Sequence, residues 1–202
     1  MSMMVQSGRF TSRTLSVISS GGMSSTGSTT NFTPTGTATG DLLVLICGGA
    51  DPTVFGGAAA WSYNNQTGGG NNIKTAYKIL AAGDVGATHT ISETSNLTPF
   101  AWVVYRGPTA MTLKESKAQA SGSTLDFTGF TLAGTHLAAL TIGFSHGGGS
   151  ATGITFPAGW TTNTSRVAFD LKAAISSTTY PGGALSASGV SGAVCGTLWE
   201  LT

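Results

Sequence analysis

Residues 39–49 read TGDLLVLICGG. An apolar run opens directly after Gly40-Asp41 and closes on Gly48-Gly49. A run of this length with no polar alternation, bounded by glycine, reads as a strand covered on both faces or central to a sheet. A segment of the same kind returns as AGTHLAALTIGF at 133–144. That return decides how the rest of the chain is read.

Working outward, the first half continues as AAAWSYNN, IKTAYKILAAGD, THTIS and PFAWVVYRG. The second continues as PAGWTTNT, RVAFDLKAA, GALSAS and GAVCGTLWEL. Asp41 to Thr135 is 94 positions, Trp61 to Trp160 is 99, Tyr77 to Phe169 is 92 and Tyr105 to Trp199 is 94. Landmarks in one order at nearly one spacing mark an internal duplication, about residues 36–107 and 130–201.

The duplication settles a local ambiguity. In IKTAYKILA, residues Ile73, Ala76, Tyr77 and Leu80 fit a helical stripe. The partner segment alternates instead, with Val167, Phe169 and Leu171 against Ala168, Asp170 and Lys172. Both are therefore read as half-buried antiparallel strands. Thr75, Tyr77 and Ile79 face the core; Lys74, Ala76 and Lys78 face out.

The expected fold is all-β: an antiparallel β-sandwich of jelly-roll type, eight-stranded or slightly larger, spanning 32–202. Two separate small domains are the alternative. Residues 1–31 are read as a polar arm: a short strand, RTLSVIS, then the low-complexity SSGGMSSTGSTTN. The arm is expected to lie on a neighbour or on the sandwich edge.

Composition restricts function. Only 8% of residues are charged, against roughly 25% in an ordinary soluble domain, while 40% are hydrophobic and 30 are glycine. This is not the composition of a disordered chain. A surface so poor in charge tolerates packing against other subunits, since few charges must be desolvated. The net charge is +1 and the basic residues are scattered, so no run of phosphates would be neutralised and nucleic acid is not an expected partner. No apolar run reaches the ~18 residues of a membrane span and no basic amphipathic helix is present. MSMMVQSGRFTSR lacks the apolar core of a secretory signal. The Asn-x-Ser/Thr matches at Asn31, Asn65, Asn96 and Asn163 are what so much serine and threonine produces by chance.

No constellation selects a reaction. His136 and His146 flank one strand, and His89, between Thr88 and Thr90, is read as pointing to solvent or bonding across strands. Asp41 and Asp84 follow glycine, an ordinary turn position. A calcium site on Asp51 has no DxDxDG run behind it. The glycine loops 68–70 and 147–150 lack phosphate-cradle spacing. Cys47 and Cys195 are read as buried thiols in strands, with a bridge between them left open. Trp61 and Trp160 recur at equivalent places, which favours core plugs over a sugar platform. No catalytic, cofactor or metal residue is expected.

The order carried by TGDLLVLICGG, PAGWTTN, IKTAYKILAAGD and FAWVVYRG resembles β-sandwich modules of tailed-bacteriophage virion proteins. The second half departs from it: Thr135-His136 replaces Gly-Asp, and Trp199-Glu200 replaces Tyr-Arg. The resemblance implies a non-enzymatic structural protein located in the virion, decorating the head or forming part of a tail fibre or spike. Its partners would be other virion proteins and copies of itself, a trimer by analogy with threefold particle sites. The competing reading is a carbohydrate-binding module for host glycans, marked by exposed Trp61, Tyr63 or Trp160.

Overall fold

The computed structural model describes residues 16–23, 29–48, 53–55, 57–68, 71–92, 100–120, 122–131, 138–146, 153–155, 161–165, 170–176, 179–188 and 194–202. These form sixteen strands and one 3-10 turn, Ala82–Asp84. The first eight strands are β1 (Ser16–Met23), β2 (Thr29–Phe32), β3 (Leu42–Gly48), β4 (Thr53–Phe55), β5 (Ser62–Gly68), β6 (Asn71–Ile79), β7 (His89–Ser92) and β8 (Phe100–Arg106). The second eight are β9 (Met111–Gln119), β10 (Thr124–Thr131), β11 (Ala138–His146), β12 (Gly153–Thr155), β13 (Thr161–Ser165), β14 (Asp170–Ser176), β15 (Thr179–Ser188) and β16 (Val194–Leu201). All pairings are antiparallel.

The strands form four sheets. Two come from the first half, in the orders β1-β8-β3-β6-β5 and β2-β7-β4. Two come from the second, β9-β16-β11-β14-β13 and β10-β15-β12. Adding eight to each strand number of the first pair generates the second. Register repeats as well. Leu42 lies between Tyr105 and Ile79, and Ala139 lies between Leu201 and Ile175. This puts the structural offset at 96–97, a little above the 94 given by the sequence landmarks at the first and last strands. Trp160 and Phe169, which carried the other landmarks, lie outside the described residues.

The sequence reading divided about eight strands between the halves; each half has eight of its own. Four of the additional strands lie outside the repeats as read. β1 and β2 fall in the segment read as a polar arm, and β9 and β10 in the connection between repeats. Of these, β1 coincides in part with the expected short strand RTLSVIS; its continuation SGGM and β2, TTNF, carry little apolar signal. β1 is held to β8 instead by cross-strand cover: the Trp102 indole lies where a Gly21 side chain would stand, 2.7 Å from that position.

β3 is central in its sheet, and Leu42 to Cys47 are all buried. One of its faces (Leu43, Leu45, Cys47) meets the small sheet of the same half through Phe32, which packs on Phe100 and stacks on Trp102. Its other face is turned to the second half. There Thr75 Oγ1 lies 3.2 Å from Thr197 Oγ1, and the Tyr77 and Trp199 rings meet at 5.6 Å. The uninterrupted apolar run is thus a strand with two covered faces, each buried Leu, Ile or Val contributing ~1.5–3 kcal/mol.

The two large sheets touch in an exchanged pattern. β1 lies against β13 and β5 against β9; β8 meets β14 and β16 meets β6; β3 meets β11. Swapping the halves maps these contacts onto one another, although β11 also meets β6 without an equal β3–β14 contact, so the interface is approximately isologous and twofold-like within one chain. Residues 107–110 join the halves, and the Thr109 and Ala110 N–H groups both donate to the Thr202 carbonyl.

β6 is a strand, as the duplication requires, but it is not half-buried. Ala76 and Lys78 are buried and Ile79 is 36% exposed. On the face expected to meet water, Lys78 is covered by Trp61, Asp84 and the chain at Gly57. Cys47 and Cys195 are buried thiols. Cys47 shares a strand face with Leu45, toward the small sheet. Cys195 shares one with Thr197, toward the other half.

Candidate functional site

Four charged residues of the motif segments, Asp41, Lys78, Asp84 and Arg106, gather at one end of the first large sheet. Asp41 ends the loop entering β3, Asp84 closes the 3-10 turn after β6, and Arg106 ends β8. Backbone bonds tie these segments together: Gly40 N–H donates to the Leu80 carbonyl and Leu80 N–H to the Asp41 carbonyl.

Asp84 is buried and accepts four hydrogen bonds. Lys78 Nζ donates at 2.6 Å and Ala58 N–H at 2.7 Å to Oδ1; Ala81 N–H at 2.9 Å and Ala59 N–H at 3.0 Å donate to Oδ2. Burial by itself would raise its pKa. The Lys78 ammonium and the backbone donors outweigh burial and hold the carboxyl at about 2. Lys78 Nζ also lies 4.7 Å over the centre of the Trp61 ring. Gly57 is required here: its φ is +85°, and a side chain on it would run into Asp84 and Lys78.

Asp41, also buried, takes a bidentate grip from Arg106. Nε donates to Oδ1 and Nη2 to Oδ2, both at 2.8 Å, while Ala38 N–H donates to Oδ2 at 2.7 Å. Arg106 Nη2 reaches the Gly36 carbonyl as well. Burial raises the Asp41 pKa, and the guanidinium and the amide bring it below the usual carboxylate range. The turn role read for these two aspartates is therefore incomplete: each nails a loop to a strand end.

The second half uses other charges. Glu200, buried, pairs with Lys114 Nζ at 3.0 Å, and that Nζ sits 4.8 Å over the centre of the Phe130 ring. Glu115 accepts from the Thr128 N–H and hydroxyl and pairs with Lys117. Lys117 also donates to the Asp126 carbonyl. Here the last strand, β16, carries the anion where β8 carries the cation Arg106, and the partner Lys114 sits on β9 whereas Asp41 precedes β3. Thr135 and His136 lie outside the described residues.

His89 is fully buried, not solvent-facing. Its ring packs between Phe32 (5.3 Å) and Trp61 (5.6 Å, edge-on). Trp61 is half-buried against the core. His146 ends β11. Asp51 and residues 69–70 and 147–150 of the glycine loops lie outside the described residues. Among the described residues no three of His, Cys, Asp or Glu are grouped to hold a metal, and no helix is long and apolar enough to cross a membrane.

Two surface features remain. Tyr63, on edge strand β5, is 46% exposed with Lys74 Nζ 4.9 Å over its ring. The small sheet β2-β7-β4 carries a hydroxyl-bearing surface, where Thr90 donates to Asn31 Oδ1 and the Thr33 and Thr88 hydroxyls meet at 2.9 Å.

What this geometry can do chemically is narrow. A carboxylate with four donors already in place and almost no exposure has neither the proton affinity nor the access of a general base. The motif residues are staples for loops. Sequence reading missed the Lys78–Asp84 pair because a lysine in an alternating strand was assigned to water. The available signal was Trp61, an aromatic ring over which a buried ammonium can sit. Compared with known proteins, the chain matches no family model, no curated protein and no solved structure.

Proposed function

We propose that the chain is a non-enzymatic structural component of a bacteriophage particle, built as two jelly-roll units that decorate the head or form part of a tail fibre. The observation that carries this reading is the repeated strand order. In a jelly roll eight strands wrap so that the first, eighth, third and sixth form one sheet and the second, seventh, fourth and fifth the other. Each half follows that order, except that β5 and β13 sit beside β6 and β14 at the edge of the large sheet. Such a unit is rigid, and the charges of the motif segments are spent on holding it together. The resemblance of TGDLLVLICGG, IKTAYKILAAGD and FAWVVYRG to virion modules supports the particle assignment, and the charge-poor surface suits packing among neighbours.

The test is co-sedimentation. Particles purified from the source lysate are separated on a density gradient and probed with an antibody to the chain, then by immunogold microscopy. The protein is expected in the particle fraction at a fixed ratio to the major capsid protein. Recovery only among unassembled soluble proteins would overturn the reading.

Tyr63 favours a second reading, recognition of host glycans, because an exposed ring on an edge strand can stack on a sugar face. A glycan array with the wild-type chain and Tyr63→Ala distinguishes them: binding lost with the ring supports glycan recognition, and no binding removes it.

A further inference from the structure

We propose that the Tyr63–Lys74 pair on the β5–β6 hairpin is a contact site for a carboxylated sugar, the pyranose of a uronic or sialic acid. The C–H face of the sugar lies on the Tyr63 ring and its carboxylate meets the Lys74 ammonium. This rests on the second reading above, glycan recognition through Tyr63, and gives it a sugar class.

Tyr63 is the register partner of Ala76. Its ring therefore stands on the face of β6 that carries Lys74 and Lys78, and Lys74 Nζ lies 4.9 Å from the ring centre. Trp61, two residues earlier on the same side, has Lys78 Nζ at 4.7 Å. Two aromatic–ammonium pairs thus follow one another along one face of the hairpin. The inner pair is structural: Lys78 is buried and its charge is taken by Asp84. The outer pair reaches the surface, with Tyr63 46% exposed and Lys74 half-buried. Neither SYNNQTG nor NNIKTAYKI contains an acid.

The duplication supplies an internal comparison. At the structural offset of 96, which relates Thr75 to Leu171, Lys74 and Ala76 correspond to Asp170 and Lys172. The register partner of Lys172 on β13 is Thr162. The second half therefore has a threonine where the first has the ring, and an acid where the first has the ammonium. It forms the same strand pairs without either, so the fold does not call for the Tyr63–Lys74 pair.

The chemistry of the pair selects an acidic sugar. An exposed tyrosine offers the apolar face of a pyranose a rigid platform. The ring also holds the ammonium in place before a ligand arrives. An ammonium has three donors, so a carboxylate adds a charge-assisted bond without displacing the ring. A neutral sugar gains the stacking alone. Repulsion of an acidic ligand is small, because four of the chain's eight acids, Asp41, Asp84, Glu115 and Glu200, are paired with cations.

The experiment uses the full chain and calorimetric titration. The probes are an oligogalacturonate with a neutral galacto-oligosaccharide of equal length, and sialyllactose with lactose; the two acidic arms separate uronic from sialic acid. At least one acidic probe is expected to bind, at least about tenfold more tightly than its neutral counterpart, equivalent to ~1.4 kcal/mol. Lys74→Gln is expected to bring it to the neutral level, Lys74→Arg to keep the preference and Tyr63→Ala to abolish binding, with circular dichroism confirming the fold of each. Neutral probes bound as tightly as acidic ones, or a preference that survives Lys74→Gln, overturns the proposal and leaves the glycan reading standing. Binding of no probe also overturns it, and the glycan array then decides the broader reading separately. Should Lys74→Gln fail to fold, salt decides on the wild type: binding of the acidic probe must weaken as ionic strength rises, and salt-independent binding contradicts the carboxylate contact.

Discussion

At Asp84, four donors converge on two oxygens, and removing different members of the cluster has unequal consequences. Asp84→Ala strands the buried Lys78 ammonium and three backbone N–H groups. It is expected to cost ~3–5 kcal/mol. Lys78→Met leaves the carboxylate with its three backbone donors and is expected to cost less, ~1–3 kcal/mol. Denaturant unfolding of both variants checks the order; a larger loss for Lys78→Met would show that the backbone bonds do not hold the carboxylate. The same residues set the acid response. Asp84, Asp41 and Glu115 all have folded pKa values below their ordinary ones. The folded state therefore resists protonation more than the unfolded chain does, and the stability so conferred is complete above the ordinary carboxylate value of ~4. It is lost as pH falls from there to about 2, the folded value of Asp84. Melting temperature followed from neutral pH downward should be level and then drop in that window. A melting temperature still level at the acid end would contradict the assignment.

Strands are where sequence and structure agree best and also where they part. Leu42–Cys47 was legible because an apolar run without alternation has one economical explanation, cover on both faces, and both faces are covered. β6 was legible as a strand only through its partner segment. The faces of β6 were misread because period-two alternation tells two faces apart without saying that one of them is dry. Lys78 is buried by a salt bridge to a residue in the following turn, and nothing in the strand's own pattern announces that contact. β2 and the second part of β1, beyond RTLSVIS, were illegible for a different reason. Ser and Gly supply almost no hydrophobic signal, and the side chain that secures β1 is Trp102, on another strand. This makes Gly21 a sensitive position. Gly21→Val would push a branched side chain into the Trp102 indole and is expected to destabilise the protein by ~1–3 kcal/mol. Gly22→Ala, with Ala101 as its cross-strand neighbour, serves as the comparison. Equal effects in thermal melts would mean that Trp102 does not cover β1.

Taken as a molecule, the chain is two equivalent eight-strand units whose large sheets are turned toward each other about a twofold-like axis. The duplication itself was visible in sequence, since apolar runs and aromatic landmarks survive divergence. The mutual orientation of the halves was not, because it depends on residues such as Thr75 and Thr197 that carry no pattern. These two hydroxyls partner each other inside the interface. Replacing one with valine orphans the other, at a cost of ~1–3 kcal/mol, while replacing both should be nearly neutral. A double-mutant cycle on unfolding free energies measures this; additive losses would place the two hydroxyls apart.

Because Thr75 and Thr197 are 122 positions apart in sequence and their Oγ1 atoms only 3.2 Å apart, a cross-link between them tests the face-to-face duplication most directly. In Thr75→Cys/Thr197→Cys, mild oxidation followed by non-reducing peptide mapping should find positions 75 and 197 joined in the monomer, in high yield and with a raised melting temperature. Two thiols that stay reduced under conditions that oxidise exposed cysteines, or that link only between molecules, would mean the two large sheets do not face each other.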